Sequence, residues 1–273
     1  MSTAGAPIIG VRDSGVGGLT VARRIREVLP HSPLLYFADT AHVPYGDREP
    51  HEVRHFALSI SDFLICQGAQ IVVFACNTSS AYALDSARQK FDVPIIGMIE
   101  PGARAAVAAS SGGLIGVLAT QATVASHVYT SSIQRLQPAA RCLEIACPEF
   151  VPLVEAEQTQ SQAAHDAARH YLQPLLDAGA DTIILGCTHY PLLMAVLQQA
   201  APAVRFIDPA EAVALEVAAL AQDFPPRLND SNTGDTFFVS GAEDGVRHWI
   251  EKLLPQSKPQ MSVRRGPIFD VPS

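Results

Sequence analysis

The chain has 273 residues, of which 48% are hydrophobic and 17% charged, so it can bury one large core or two smaller ones. Its 19 basic and 27 acidic residues give a net charge of −8, which argues against a nucleic-acid-binding surface. No apolar run reaches the length of a membrane span, and residues 1–7 lack a secretory signal pattern, so we expect a cytoplasmic protein.

Short apolar runs alternate with longer helical stretches, a pattern that predicts parallel α/β architecture. In chain order, strands are predicted at residues 8–12, 34–38, 71–75, 95–99, 114–119, 142–146, 182–186, 204–207 and 237–240. A helix is predicted near 245–254 and a loop over 224–235, where Pro, Asn, Asp, Ser and Gly accumulate. The tail after Pro255 shows no periodicity, so we expect it to be poorly ordered.

An internal repeat organises these elements. Residues 9–11 resemble 115–117, residues 68–76 resemble 179–187, and residues 99–101 resemble 207–209, in the same order and at similar intervals. We therefore predict two pseudo-symmetric α/β lobes, each a mainly parallel sheet flanked by helices, with the active site in the cleft between them. The first lobe is expected over 1–97 plus 209–255, the second over 98–208, and a C-terminal tail over 256–273.

A cysteine ends the equivalent strand of each lobe, at Cys76 and Cys187. Ligands of open α/β sheets bind beyond the carboxyl ends of the strands. Both cysteines precede hydrogen-bonding residues that can begin a helix, namely Asn77 and Thr78 in one lobe and Thr188 and His189 in the other. A helix N-terminus binds anions and lowers the pKa of a thiol from about 8.5 toward neutrality.

Two such lobes facing each other would place a thiol on either side of one substrate carbon. One thiolate could then remove a proton while the opposite thiol returns one, which is the geometry of stereoinversion. The pattern predicts a cofactor-independent racemase. An odd number of dispersed cysteines favours reduced thiols over disulfides, and we interpret Cys66, Cys142 and Cys147 as buried structural residues.

The motifs that surround these cysteines resemble glutamate racemases. They are D-S-G-V-G-G-L at 13–19, V-P-Y-G at 43–46, A-C-N-T at 75–78, P-G-A at 101–103, C-P at 147–148, F-V-P-L-V-E at 150–155 and G-C-T-H-Y-P-L at 186–192. The resemblance runs in the family's order through residues 8–254, nearly the whole chain. It implies interconversion of L- and D-glutamate for peptidoglycan synthesis by a homodimer, without cofactor or metal.

The resemblance also implies roles for single residues. Cys76 would act on D-glutamate with help from Asp13, and Cys187 on L-glutamate with help from His189 and the nearby Glu155. Substrate would be held by Asp13, Ser14, Tyr45, Gly46, Asn77, Thr78, Thr188 and His189.

Other functions remain open. An aspartate racemase or a related decarboxylase shares the two-lobe plan, although His189 after the second Cys-Thr favours glutamate. A catalytically silent binding or regulatory relative is a third possibility. A pyridoxal phosphate enzyme needs a Schiff-base lysine, and none of Lys90, Lys252 and Lys258 follows a strand end or a motif.

Two further motifs suggest other sites. Residues 51–55, H-E-V-R-H, match a zinc pattern, but they directly follow Pro50 and lack a third-ligand motif, so we interpret them as a solvated helix start. The glycines of residues 13–18 lack the spacing of a nucleotide-binding loop, and we interpret them as a tight turn that lets backbone approach the substrate.

Arg12 departs from the family pattern, which has an aromatic or aliphatic residue at this position. One interpretation is a strand-end side chain that reaches solvent or pairs with an acid. The other is that Arg12 shifts the pKa of Asp13 or adds positive charge near the substrate.

Overall fold

The computed structural model describes residues 6–224, 234–255 and 261–271. Its strands are β1 (Ile9–Asp13), β2 (Leu34–Ala38), β3 (Ile71–Phe74), β4 (Ile95–Gly97), β5 (Leu114–Ala119), β6 (Arg141–Ala146), β7 (Ala180–Gly186), β8 (Arg205–Ile207), β9 (Thr236–Val239) and β10 (Ser262–Arg265). Its helices are α1 (Leu19–Val28), α2 (Pro50–Cys66), α3 (Asn77–Lys90), α4 (Ile99–Ala109), α5 (Gln121–Ala125), α6 (Val128–Leu136), α7 (Phe150–Glu155), α8 (Gln162–Asp177), α9 (Met194–Ala200), α10 (Pro209–Ala221) and α11 (Glu243–Leu253). Short 3-10 helices cover Tyr45–Asp47 and Tyr190–Leu193.

The strands form two parallel sheets. The six-stranded sheet has the order β10-β9-β2-β1-β3-β4 and the four-stranded sheet the order β6-β5-β7-β8. The segment β2-β1-β3-β4 of the first sheet therefore has the same order as the whole second sheet, with β1 equivalent to β5 and β3 to β7. This match confirms the internal repeat and the predicted α/β fold of two pseudo-symmetric lobes.

Continuous apolar runs place the central strands in the interior of each sheet. Every residue of β1, β3 and β5 is buried, as expected for parallel strands covered by helices on both faces. Helix α10 packs against both α1 and α4 and so joins the lobes. It buries residues at helical spacing along one face, namely Ala210, Val213, Ala214 and Val217.

All nine predicted strands are present, with ends displaced by at most two residues, and α11 lies where a helix was expected. The prediction for the tail was wrong within residues 261–271. There β10 pairs in parallel with β9 and covers its edge, with Ser262 opposite Thr236. Its sequence, S-V-R-R, lacks an apolar run because it is an edge strand with Arg264 and Arg265 exposed. Most of the predicted loop, residues 225–233, lies outside the described residues.

The strand at 236–239 and β10 both lie in the sheet that contains β1 to β4. This placement is compatible with the predicted return of the chain to the first lobe, whose boundaries at 97/98 and 208/209 stay a prediction. Among the described residues, no helix is both long and apolar enough to cross a membrane.

Candidate active site

A cleft of about 390 Å³, counted to its open mouth, lies between the carboxyl ends of the two sheets. Equivalent strand ends enclose it in pairs: Ser14 and Thr120 follow β1 and β5, and Cys76 and Cys187 follow β3 and β7. Most of the predicted site residues line the cleft, namely Ser14, Tyr45, Gly46, Cys76, Asn77, Thr78, Cys187, Thr188 and His189. The repeat in the sequence thus becomes two similar walls around a single pocket.

The two other predicted residues lie behind this lining. Asp13 is fully buried, and its Oδ2 accepts a hydrogen bond from the backbone N–H of Gly15 at 3.0 Å. Glu155 ends α7 with 43% of its side chain exposed, and its Oε1 lies 3.4 Å from Nε2 of His189. Each carboxylate therefore stands behind one of the walls.

Cys76 lies at the N-terminus of α3, where the first backbone N–H groups of the helix have no partner within the helix. The sequence predicted a lowered thiol pKa here, and this prediction was wrong. Burial raises the pKa of Cys76, and the carboxylate of Asp13 raises it further. The guanidinium of Arg12 and the hydrogen bonds with Ser79 offset only part of this rise. A buried thiol beside a carboxylate is held in its protonated form.

Cys187 is paired with His189, whose Nδ1 lies 3.8 Å from the sulfur. The chain after β7 forms the 3-10 helix Tyr190–Leu193 before α9, with Pro191 near its start, so no α-helix begins directly at Cys187. Burial disfavours the charged imidazole, but the contacts with Cys187 and Glu155 outweigh it and raise the pKa of His189 to about 10. This wall therefore holds a cation next to its thiol.

The raised pKa of His189 predicts a pH dependence of stability. Because the folded protein holds this proton more tightly than the unfolded chain, whose histidine pKa is about 6.5, the contribution is complete below that pH. It is lost as the pH rises through about 10. We expect the free energy of unfolding in urea to fall between pH 7 and 10 more steeply for wild type than for His189→Asn. Equal slopes would contradict the assignment of the proton to His189.

Contacts between the lobes fix the polar residues of the cleft. The hydroxyl of Tyr129, from α6, donates to Oδ1 of Asn77 at 2.7 Å, and Oγ1 of Thr78 lies 3.0 Å from Oγ1 of Thr120. Nδ2 of Asn77 is buried with no partner among the described residues. An amide held by its oxygen thus keeps two N–H donors for a ligand. Neither Tyr129 nor Thr120 was predicted as a site residue from the sequence.

The glycines after β1 make close contacts with protein groups. A Cβ on Gly17 would lie 2.4 Å from Oγ1 of Thr188 and 2.5 Å from Nδ1 of His189, and one on Gly18 would lie 2.5 Å from Cβ of Asp13. Both glycines are therefore required by contacts within the protein, and the predicted approach of backbone to the substrate stays a prediction. They let the first lobe approach the second wall and its own Asp13.

Arg12 contradicts the interpretation that it reaches solvent or pairs with an acid. Its side chain is fully buried, with the guanidinium carbon 5.0 Å from the ring centroid of Phe74 and 5.6 Å from that of Tyr45. Nη2 donates to the hydroxyl of Tyr45 at 3.4 Å. Because the rings of Phe74 and Tyr45 cover the guanidinium on an inner strand, the side chain does not reach solvent.

The glutamate in the H-E-V-R-H motif, Glu52, has a structural role at the start of α2. Glu52 accepts a hydrogen bond from the backbone N–H of Glu49 and closes a capping box at the first turn of α2. Within the described residues, no group of three or more His, Cys, Asp or Glu side chains could hold a metal ion.

Of the other cysteines, Cys147 is buried as expected, whereas Cys66 is exposed and Cys142 half-buried.

Comparisons with known proteins agree with this architecture. Residues 19–217 match the Asp/Glu/hydantoin racemase family. The glutamate racemase of Gloeobacter violaceus is 47% identical over 241 residues, which are 88% of this chain and 89% of that protein. A glutamate racemase isoform from Bacillus anthracis superposes with a TM-score of 0.89 at 34% identity, covering 96% of this chain and 98% of that one. The Francisella tularensis enzyme, solved with D-glutamate, superposes at 0.87 with 29% identity and the same coverage. The chain belongs to the Asp/Glu/hydantoin racemase family.

Proposed function

We propose that the protein interconverts L- and D-glutamate with Cys76 and Cys187 as its two proton-transfer groups. The observation that carries this proposal is the placement of one thiol at the equivalent strand end of each lobe, on the two walls of a single cleft. A carbon bound between them can lose a proton to one wall and gain one from the other. The similarity to glutamate racemases supports the choice of reaction and of substrate.

The two thiols exchange roles with the direction of reaction. From L-glutamate, the Cys187 thiolate accepts the α-proton, the electron pair of the broken C–H bond stays on the α-carbon, and the Cys76 thiol protonates that carbon from the opposite face. From D-glutamate the same steps run in reverse, as microscopic reversibility requires. The raised pKa of Cys76 and the cation at His189 suit the first direction in the free enzyme.

Asp13 is the proposed partner of the substrate ammonium. Its Oδ1 is buried without a partner among the described residues, and its charge raises the pKa of Cys76. An ammonium paired with this carboxylate would offset that effect, so binding of D-glutamate would itself favour the Cys76 thiolate. Glu155 would in turn hold the His189 imidazolium beside Cys187.

Hydrogen-bond donors in the cleft suit a substrate with two carboxylates. The N–H groups at the start of α3, the amide of Asn77 and the hydroxyls of Ser14, Thr78 and Thr188 provide neutral donors on both walls. Carboxylates accept such bonds strongly, and donors at a helix N-terminus also stabilise negative charge that develops on the substrate. Tyr45 and Gly46 also line the cleft.

Glutamate and aspartate can be separated by a direct assay. The protein would be dialysed against a metal chelator and hydroxylamine, which removes pyridoxal phosphate, and then followed by polarimetry with each enantiomer of both acids. We expect loss of optical rotation with either glutamate enantiomer and little change with aspartate. Faster inversion of aspartate would overturn the substrate, and no inversion of either acid by folded protein would favour a silent binding protein.

The cellular setting of this activity is also a proposal. D-glutamate made by this enzyme would supply peptidoglycan synthesis in the cytoplasm, and we expect the protein to act as a homodimer. Sedimentation of the purified protein at micromolar concentration measures the oligomeric state.

Tyr129→Phe tests how Asn77 is held. Without the hydroxyl, the amide loses the hydrogen bond that fixes its orientation, and we expect the KM for glutamate to rise about tenfold, the value of one hydrogen bond. Tyr171→Phe is the matched control, since its hydroxyl donates to Glu149 and Tyr171 does not line the cleft. An unchanged KM in Tyr129→Phe would show that Asn77 does not need this contact.

A further inference from the structure

The side chain of Arg12 is a buried cation near the carboxyl end of β1, in the first lobe. Strand register places it between Phe37 of β2 and Phe74 of β3, and its guanidinium packs against the rings of Phe74 and Tyr45. One donor, Nη2, reaches the hydroxyl of Tyr45. The other two, Nε and Nη1, are buried with no hydrogen-bond partner among the described residues.

Such a side chain lowers the stability of the fold, which indicates that its charge serves another purpose. A buried ion that lacks a full set of partners is costly, and an apolar side chain of similar size is often neutral or stabilising in its place. The nearest carboxylate in the hydrogen-bond network, Asp39, is reached only through Tyr45, whose hydroxyl donates to it at 2.5 Å. Asp39 also accepts from His42 and Ser240, so its charge is shared.

Cys76 is the group on which this charge can act. The charged and titratable groups around the thiol are Arg12 and Asp13 on β1, Tyr36 on β2 and Tyr45 in the 3-10 helix, with Asp39 and His42 beyond Tyr45. The guanidinium of Arg12 packs against Tyr45, which lines the cleft with Cys76, and against Phe74, two residues before that cysteine. From this position its charge favours the thiolate, whereas the carboxylate of Asp13 opposes it. On the other wall, Cys187 has its own buried cation in His189.

We propose that Arg12 is a positioning residue of the first wall, whose buried guanidinium stabilises the thiolate of Cys76 and holds Tyr45 against the cleft. Each thiol then has one cation and one carboxylate in its surroundings. These are Arg12 and Asp13 on the first wall, and His189 and Glu155 on the second. Arg12 does not line the cleft and acts only through its neighbours. The role in catalysis rests on the proposed two-thiol function, whereas the effect on the thiol can be measured without it.

The test is the rate at which iodoacetamide alkylates each cysteine as a function of pH, read peptide by peptide by mass spectrometry. In Arg12→Met we expect the alkylation profile of Cys76 to move about one pH unit upward, a rate about tenfold lower near neutral pH. Cys187 in the same sample should keep its rate and serves as an internal control. Arg205→Met removes an exposed arginine from the second sheet and should leave both profiles unchanged.

Arg12→Lys separates charge from shape. The lysine keeps a cation at this buried position, so we expect it to restore most of the alkylation rate of Cys76. An unchanged profile in Arg12→Met, or a displaced profile that lysine does not restore, would overturn the proposal. If Arg12→Met does not fold, Arg12→Gln replaces it, and we expect the same displacement of the alkylation profile of Cys76. Failure of wild type to racemise glutamate would refute the proposed function and leave this thiol measurement standing.

Discussion

Cys76→Ser and Cys187→Ser are each expected to lose racemisation by roughly 10²–10⁴-fold, the range attributed to a positioned general acid or base. A serine hydroxyl cannot supply the ionised base that a thiol can, and among the described residues that line the cleft each wall contributes one thiol. Activity would be followed by polarimetry in both directions. Cys66→Ser is the matched control, because this exposed cysteine at the end of α2 does not line the cleft.

The single variants should also differ from each other. Cys187→Ser keeps Cys76 and should exchange the α-proton of D-glutamate with deuterated water without inverting it, and Cys76→Ser should do so with L-glutamate. The reversed pattern would keep two thiols and exchange their assignments. A variant of either cysteine that racemises at a rate near that of wild type would refute the two-thiol mechanism.

Gly17→Ala is expected to lower kcat/KM about 100-fold, because a displacement of about 1 Å at a catalytic group can have an effect of that size. The added methyl would overlap Thr188 and His189, so the loop after β1 must withdraw from the second wall. That withdrawal also strains the bond from Oγ1 of Thr20 to the carbonyl of Thr188, 3.1 Å long, that links the lobes. Steady-state kinetics and the melting temperature together separate a misplaced site from an unfolded one.

Gly15→Ala, in the same loop, provides the control. The nearest atom to a Cβ added at Gly15 would be Cγ2 of Val43 at 3.6 Å, an ordinary van der Waals contact. We expect this variant to retain activity within a few-fold of wild type. Comparable losses in both variants would mean that the loop tolerates no side chain, whatever the contact with the second wall.

The sequence predicted much of the fold because its strands are buried apolar runs. Their alternation with helices identified nine strands, and the repeat predicted two pseudo-symmetric lobes, whose sheets share a strand order in the structure. It did not predict β10, an edge strand of mixed polarity whose pairing with β9 depends on tertiary contact. Strand ends, together with the family resemblance, also located both thiols, since parallel strands bring their carboxyl ends to one edge.

Predictions failed where an environment depends on residues distant in sequence. Tyr129 donates to Asn77 from a helix that is distant in sequence and carries no local motif. The pKa of Cys76 is raised because burial and Asp13 outweigh Arg12 and the hydrogen bonds with Ser79, a balance that the local pattern does not contain. Arg12 resembles a strand-end residue in sequence, yet it is enclosed by the rings of Phe74 and Tyr45.

The assignment of the two thiols to opposite faces is tested by following deuterium during the first few per cent of racemisation by wild type. With L-glutamate in deuterated water, two separate thiols require that newly formed D-glutamate carry α-deuterium while the remaining L-glutamate keeps its proton. The same should hold from D-glutamate, with the enantiomers exchanged. Equal early labelling of substrate and product would mean that a single group serves both faces, and it would contradict the assignment of Cys76 and Cys187 to opposite walls.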